Sequence, residues 1–247
     1  MSSQYGIWFP SVKVSEQNTV RIVCFPFAGA GATTYLDWFR QLPDDVDCFP
    51  VAYPLREKRR KEEMPASLKE LAFQIAKDNF DAFSEKPVVF YGHCEGGIIA
   101  YETAVALKKL YGISPKLFVA SGVNPPCVPI STRIDENMTL EDASRKFVEL
   151  GFIPQQFAKV ETYLKCFVPV LLKDYILFQN YLDTDYQKID CNILEVHGSD
   201  DPMINSEHTK EWQKYTSKDV IYKEFPGEHF FITKETLPQL FNLMLEL

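Results

Sequence analysis

A mostly parallel α/β sheet flanked by helices and carrying a helical insertion is the fold this sequence predicts, on three observations. Short apolar runs alternate with amphipathic helical stretches, the pattern of parallel strands joined through helices. Small-residue or acidic turns directly follow several of these runs, where open parallel sheets collect reactive groups. After the fourth run the alternation stops for a stretch too long to be an ordinary loop. A single domain over 1–247 is expected, with a helical lid inserted at 124–186.

Val20 to Phe27 is apolar and β-branched, a buried strand, and Ala28-Gly29-Ala30-Gly31-Ala32 follows at once. Side chains this small leave the backbone N–H groups free to face an anion. The loop matches neither the dinucleotide G-x-G-x-x-G pattern nor a phosphate loop with its lysine. A helix is expected from about Thr34 to Gln41, stopped by Leu42-Pro43. The second strand, Cys48 to Tyr53, contains Pro50, which places it near a sheet edge. It opens into Leu55-Arg56-Glu57-Lys58-Arg59-Arg60-Lys61, a basic run that reads as a solvated loop or as a docking element. Ser67 caps a helix through about Phe83, with Leu68, Leu71, Ala72, Ile75 and Phe80 at helical spacing.

Val88 to Tyr91 is the third strand, and Gly92-His93-Cys94-Glu95-Gly96 leads into a helix running through Ala100, Ala104 and Leu107 to Gly112. Strand, tight turn and helix are the setting of a nucleophile elbow, whose glycines avoid collision with the neighbouring strand and helix. Taken alone, the five residues read equally well as a Gly-rich turn around a small buried thiol. Lys116 to Gly122 is the fourth strand. Two helical stretches rich in Phe, Tyr and Leu, Thr139 to Leu150 and roughly Gln155 to Tyr181, fill the insertion. Asn192 to His197 then forms a strand before Gly198-Ser199-Asp200-Asp201-Pro202. A helix from about Ser206, a strand from Val220 to Phe225, the turn Pro226-Gly227-Glu228-His229 and a helix over about Leu237 to Leu245 complete the chain.

Lys and Arg total 26 against 34 Asp and Glu, a formal net charge of -8, which argues against a nucleic-acid or anionic-membrane surface. The six cysteines are scattered without a C-x-x-C pair, so neither a metal site nor a disulfide framework is expected. Met1 to Tyr5 lacks the basic start and apolar core of a signal peptide, and Lys173 and Asp174 interrupt the longest apolar candidate. A reduced, cytoplasmic protein is the expectation.

Cys94, Asp201 and His229 each follow a strand, in the chain order nucleophile, acid, histidine. Either Asp200 or Asp201 could be the acid, and the position of Asp201 directly before Pro202 favours it. His93 and His197 at strand ends and His208 on a helix have plainer structural readings. A thiol titrates near about 8.5, and a helix N-terminus with a neighbouring imidazolium lowers that, so Cys94 is expected as a thiolate beside His229. Asp201 would fix the imidazole tautomer. The Ala28 and Glu95 N–H groups would form an oxyanion hole. Glu95 favours the helix dipole yet repels a thiolate, and it is expected to point toward the lid and help select the acyl group.

Seven segments resemble the motifs of type II thioesterases, in order and over nearly the whole chain. They are Phe25-Pro26-Phe27-Ala28-Gly29-Ala30-Gly31, Tyr53-Pro54-Leu55-Arg56-Glu57-Lys58-Arg59, Gly92-His93-Cys94-Glu95-Gly96-Gly97, Leu150-Gly151-Phe152-Ile153-Pro154, Val168-Pro169-Val170-Leu171-Leu172-Lys173-Asp174-Tyr175, Gly198-Ser199-Asp200-Asp201-Pro202 and Phe225-Pro226-Gly227-Glu228-His229-Phe230-Phe231. The resemblance implies an α/β-hydrolase fold that removes acyl, aminoacyl or peptidyl groups from the phosphopantetheine arm of carrier proteins in nonribosomal peptide and polyketide synthesis. It implies a carrier-protein partner, no cofactor of the chain's own, no nucleic acid, no membrane and a monomer. Phe27, Glu95, Phe152 and Phe230 become substrate or lid candidates, and Arg56, Lys58 and Arg59 carrier-docking candidates. Family members commonly carry His at Phe27, Gly at Leu55, Ser at Cys94 and an apolar residue at Glu95. A Cys94 acyl-enzyme is a thioester, which thiols, amines and carbanions also attack, so an acyltransferase or cyclase is the alternative to hydrolysis. A non-catalytic binding module is the second alternative. In several cyclising relatives the acid follows the preceding strand, but Ser121-Gly122-Val123-Asn124 offers no carboxylate.

Overall fold

The computed structural model describes residues 5–14, 17 and 19–247, so Met1 to Gln4, where a signal segment was not expected, lie outside the described residues. Six strands, β1 (Val20–Phe25), β2 (Val46–Pro50), β3 (Val88–His93), β4 (Leu117–Ser121), β5 (Asn192–Gly198) and β6 (Val220–Phe225), form one sheet in the order β2-β1-β3-β4-β5-β6. Every pairing among these strands is parallel, and an isolated antiparallel bridge joins Lys13 to Cys48 of β2. The apolar runs of β1, β3 and β4 are buried on both faces, as parallel strands between helical layers must be. Pro50 sits in edge strand β2, where its missing N–H costs no ladder bond.

Among the described residues eight α-helices flank or extend the sheet: α1 (Trp38–Gln41), α2 (Leu68–Asp78), α3 (Phe80–Ser84), α4 (Glu95–Tyr111), α5 (Leu140–Glu149), α6 (Glu161–Gln179), α7 (Ser206–Thr209) and α8 (Leu237–Glu246). On one face of the sheet Val23, Phe25, Phe90 and Phe118 meet Leu71 and Ile75 of α2 and Ile99 and Leu107 of α4. On the other, Ile22, Val89, Val119 and Leu194 meet Trp38 of α1 and Leu240 and Phe241 of α8.

Several boundaries differ from the pattern reading, each for a local reason. The stretch expected as one helix over Thr34–Gln41 divides into a 3-10 turn at Ala32–Tyr35 and the short α1. Ser67 does cap α2, accepting from the Glu70 N–H at 3.2 Å, while Glu70 reaches back to the Ala66 N–H. The helix then breaks at Asn79, whose Nδ2 donates to Ile75 O at 2.8 Å, a local bond that competes with helix continuation. Within the insertion, a separate 3-10 turn at Gln155–Phe157 delays the second helix to Glu161.

Helices α5 and α6 leave the sheet after β4 and return to it at β5. Their shared core is Phe147, Phe152, Val168, Leu171 and Tyr175, and it extends onto Ala28 and Cys94. The insertion is therefore packed against the ends of β1 and β3, where the candidate chemistry lies. Among the described residues, no helix is long and apolar enough to cross a membrane.

Candidate active site

Cys94 joins β3 to α4 at φ 53° and ψ −129°, a conformation L residues adopt only where the surroundings over-determine it. Its N–H donates to Ser121 O at 2.9 Å, and its carbonyl accepts from the Gly97 N–H at 2.9 Å. A Cβ on Gly92 would collide with the Gly96 backbone, and one on Gly96 with the carbonyls of Phe25 and Pro26. This close approach of backbone to backbone is why the turn carries glycine on both sides.

The turns after β5 and β6 meet in the same way: a Cβ on Gly198 would strike the carbonyls of Gly227 and Glu228. That contact brings Asp201 to His229, with Nδ1 and Oδ2 2.8 Å apart and both side chains buried. The second Asp201 oxygen accepts from the Met203 N–H at 2.9 Å, which orients the carboxylate. Asp200 points to the surface and takes the Ser199 hydroxyl at 3.0 Å, so Asp201 is the residue paired with the imidazole. Because Asp201 accepts, Nδ1 carries the proton. The other nitrogen, Nε2, is buried with the Cys94 thiol as its neighbour and has no hydrogen-bond partner among the described residues. Burial opposes the imidazolium, but the hydrogen bond to Asp201 and the proximity of Asp201 and Cys94 outweigh it and push His229 up to about 10.

His93 lies beneath this pair, its ring 4.9 Å from that of His229. Nδ1 is 3.0 Å from Ser121 Oγ, which also accepts from Tyr91. Burial first, and then neighbouring His229, hold it well below the ordinary histidine range, so it is a neutral support. Among the described residues, neither the Ala28 nor the Glu95 N–H has a partner within the protein, which leaves both donors available to an oxyanion.

A cavity of about 550 Å³ opens beside Cys94 and His229. Its walls are largely apolar, with Ile98, Val123, Phe152, Phe178 and Met203 among them, enough for an acyl chain. Phe152 is thus the lid candidate that lines it. Phe27 and Phe230 instead pack on each other at 5.1 Å and border a separate recess of about 160 Å³ with His93.

Glu95 lines neither space. The residue is 1% exposed, and its carboxyl is held well above the ordinary carboxylate range by burial and by the charge of Asp174, with Arg56 opposing. The expected carboxylate that selects acyl groups is therefore a buried neutral acid beside an ion pair. The basic run needs a similar correction. Arg56 is buried and forks onto Asp174 of α6 at 2.8 and 2.6 Å. Arg59 is buried over the Trp8 ring and donates to Glu62 and to Ala52 O. Of the three docking candidates only Lys58 presents its charge to solvent.

Pattern reading met Asp174 only as an interruption of an apolar run and as a member of one resembling motif, and gave it no role in the site. The available signal was its spacing with Leu171 and Tyr175, which puts a carboxylate on the buried face of α6. Among the described residues no cluster of three His, Cys, Asp or Glu could hold a metal ion.

Known proteins resemble this chain over nearly its whole length. A family model described as a thioesterase domain matches residues 20–246. The thioesterase PikA5 of Streptomyces venezuelae is 27% identical over 233 residues, covering 93% of this chain and 82% of that protein. RedJ, a thioesterase from the prodiginine biosynthetic pathway of Streptomyces coelicolor, superposes with a TM-score of 0.82 at 25% identity over 99% of this chain and 94% of that one. BorB, a type II thioesterase from the borrelidin biosynthetic cluster, shares the fold with a TM-score of 0.83 at 24% identity, covering 94% of each chain. From the first strand to the last helix, the chain belongs to the thioesterase-domain family.

Proposed function

We propose that this thioesterase is of the type II kind, clearing acyl, aminoacyl or peptidyl groups from the phosphopantetheine arm of carrier proteins through an acyl-Cys94 intermediate. The observation that carries the proposal is Cys94, held on a positive-φ turn beside the His229–Asp201 pair at the wall of a 550 Å³ cavity. The similarity to PikA5, and to RedJ from a biosynthetic pathway, supports the pathway context.

In this mechanism the Cys94 thiolate attacks the thioester carbonyl, and the tetrahedral oxyanion takes hydrogen bonds from the Ala28 and Glu95 N–H groups. The carbon–sulfur bond to the arm breaks, and His229 gives its proton to the departing thiolate. Neutral His229 then draws a proton from water as the water attacks acyl-Cys94. Collapse releases the free acid and expels Cys94 as the thiolate, while His229 keeps the proton taken from water, which restores the resting pair. Asp201 holds the tautomer and the charge of His229 throughout. The first half exchanges one thioester for another and is nearly balanced; hydrolysis supplies the driving force. The α5–α6 insertion acts as the lid of the acyl chamber.

The test presents an acyl-loaded carrier protein to the enzyme and follows free acid, acyl-Cys94 and regenerated carrier by intact mass. Free acid with a transient adduct on Cys94 is the expected result, and Cys94→Ala should lose at least about 10³-fold in rate. Acyl passage to an added thiol or amine without free acid would replace hydrolysis by transfer, the alternative that a cysteine acyl-enzyme makes chemically accessible.

A further inference from the structure

The loop bearing the Ala28 N–H is anchored to the insertion. Gly29, the next residue, donates its N–H to Asp174 Oδ2 at 2.7 Å. The same oxygen accepts from Arg56 Nη1 at 2.8 Å, and Oδ1 accepts from Nη2 at 2.6 Å. Arg56 Nη1 also donates to Ala30 O at 2.7 Å, and Nε donates to Pro54 O at 3.0 Å. One buried guanidinium and one buried carboxylate therefore join three segments: the Gly/Ala loop, the loop after β2, and α6. Neighbouring Glu57 holds the far end of the Gly/Ala loop by accepting from the Thr33 N–H at 2.8 Å. Gly29 itself lies at φ 78°, and a Cβ there would stand 2.8 and 2.9 Å from ring atoms of Phe167 on α6.

We propose that Asp174 and Arg56 are positioning residues for the oxyanion site, which direct the Ala28 N–H at the reacting carbonyl only while α6 is seated on the Gly/Ala loop. The inference deepens the thioesterase mechanism above and rests on it. An oxyanion donor is effective only when fixed before the charge develops. A loop of glycine and alanine has large backbone freedom to lose, so it needs an external hold. A bidentate, charge-assisted pair is the most directional hold that side chains offer, and burial protects it from salt. Glu95 fits the same arrangement. Its N–H is the second donor, and its neutral carboxyl, next to this pair, does not draw Arg56 away from Asp174.

If the pair merely tethers α6 for stability, its loss would degrade every property of the site together. Two measurements separate the cases. Turnover of an acyl-pantetheine thioester requires the oxyanion hole, whereas alkylation of Cys94 by iodoacetamide requires only an accessible thiolate and forms no oxyanion. Asp174→Glu keeps Arg56 neutralised but moves the carboxylate by one methylene, and Asp174→Asn keeps the shape but removes the charge. The expected result for both is a kcat lower by about 10²-fold, with KM changed by less than about 3-fold and the Cys94 alkylation rate within about 2-fold of wild type. Unchanged kcat, or equal losses of turnover and alkylation, would overturn the proposal. Should Asp174→Asn fail to fold because Arg56 is left unpaired, Asp174→Glu decides alone. A wild type that alkylates normally but turns over no thioester overturns the parent mechanism and this inference with it, whereas an active wild type matched by Asp174→Glu overturns this inference only.

Discussion

Glu95 keeps a proton in the folded protein because water is excluded and Asp174 lies close, the Arg56 charge notwithstanding. The unfolded chain ionises the same group in the ordinary carboxylate range. Above that range the folded state binds more protons than the unfolded one, so the stability contribution of Glu95 falls as pH rises. Glu95→Gln mimics the neutral acid without this penalty. Its melting temperature should match wild type near pH 4 and exceed it at pH 8, each 1 kcal/mol appearing as about 2–4 °C. Identical melting curves at pH 8 would contradict a buried neutral acid. His229, raised to about 10, runs the same way in a higher window: its contribution is complete below the ordinary histidine range and is lost as pH rises through about 10. Turnover, corrected for background hydrolysis, should therefore persist into mild alkali and decline near pH 10. Asp201→Asn removes the acceptor at Nδ1 and should lower kcat by about 10⁴-fold, with the alkaline decline moved to lower pH.

Among the elements, the β3–α4 turn tolerates least. Gly96→Ala would drive a methyl into the Phe25 and Pro26 carbonyls, which are backbone and have no rotamer to escape into. We expect a loss of more than about 3 kcal/mol in urea unfolding, beyond the usual cost of an overpacked core position. A midpoint near that of wild type would show that the turn relaxes. This element was fully legible in the sequence, as were β6, the chain order of Cys94, Asp201 and His229, and the edge position of Pro50. Each rests on short local motifs of a few consecutive residues. What escaped pattern reading depends on the partner a particular side chain finds, far along the chain or one turn away. Arg56 and Arg59 look like members of a solvated basic run until Asp174, 118 positions away, is brought against Arg56. The break at Asn79 turns on one side-chain amide that no hydrophobic period reports.

For the molecule as a whole, the net charge of -8 leaves the exposed Lys58, Arg60 and Lys61 as a local basic exception, on the segment that also bears Arg56. An acidic carrier surface or the arm's phosphate would be steered there. Lys58→Glu combined with Arg60→Glu should reduce kcat/KM about 10-fold on carrier-bound substrate at low salt and leave free acyl-pantetheine unaffected. Equal losses on both substrates would remove the segment from docking.

The route of the chain between Ser121 and Asn192 has a consequence for how such proteins diversify. It begins and ends on strands that are hydrogen-bonded neighbours, so the detour through α5 and α6 closes a loop between nearly fixed points. The entropy of such closure grows only with the logarithm of length, about 0.6 kcal/mol per doubling. Descendants can thus lengthen, trim or exchange the chamber wall, and with it the range of acyl groups, while the sheet and the Cys94–His229 geometry are inherited intact. If Asp174 and Arg56 hold the oxyanion loop as proposed above, one position in the wandering segment is not free: the turn of α6 that brings Asp174 to Gly29 and Arg56 has to keep its place.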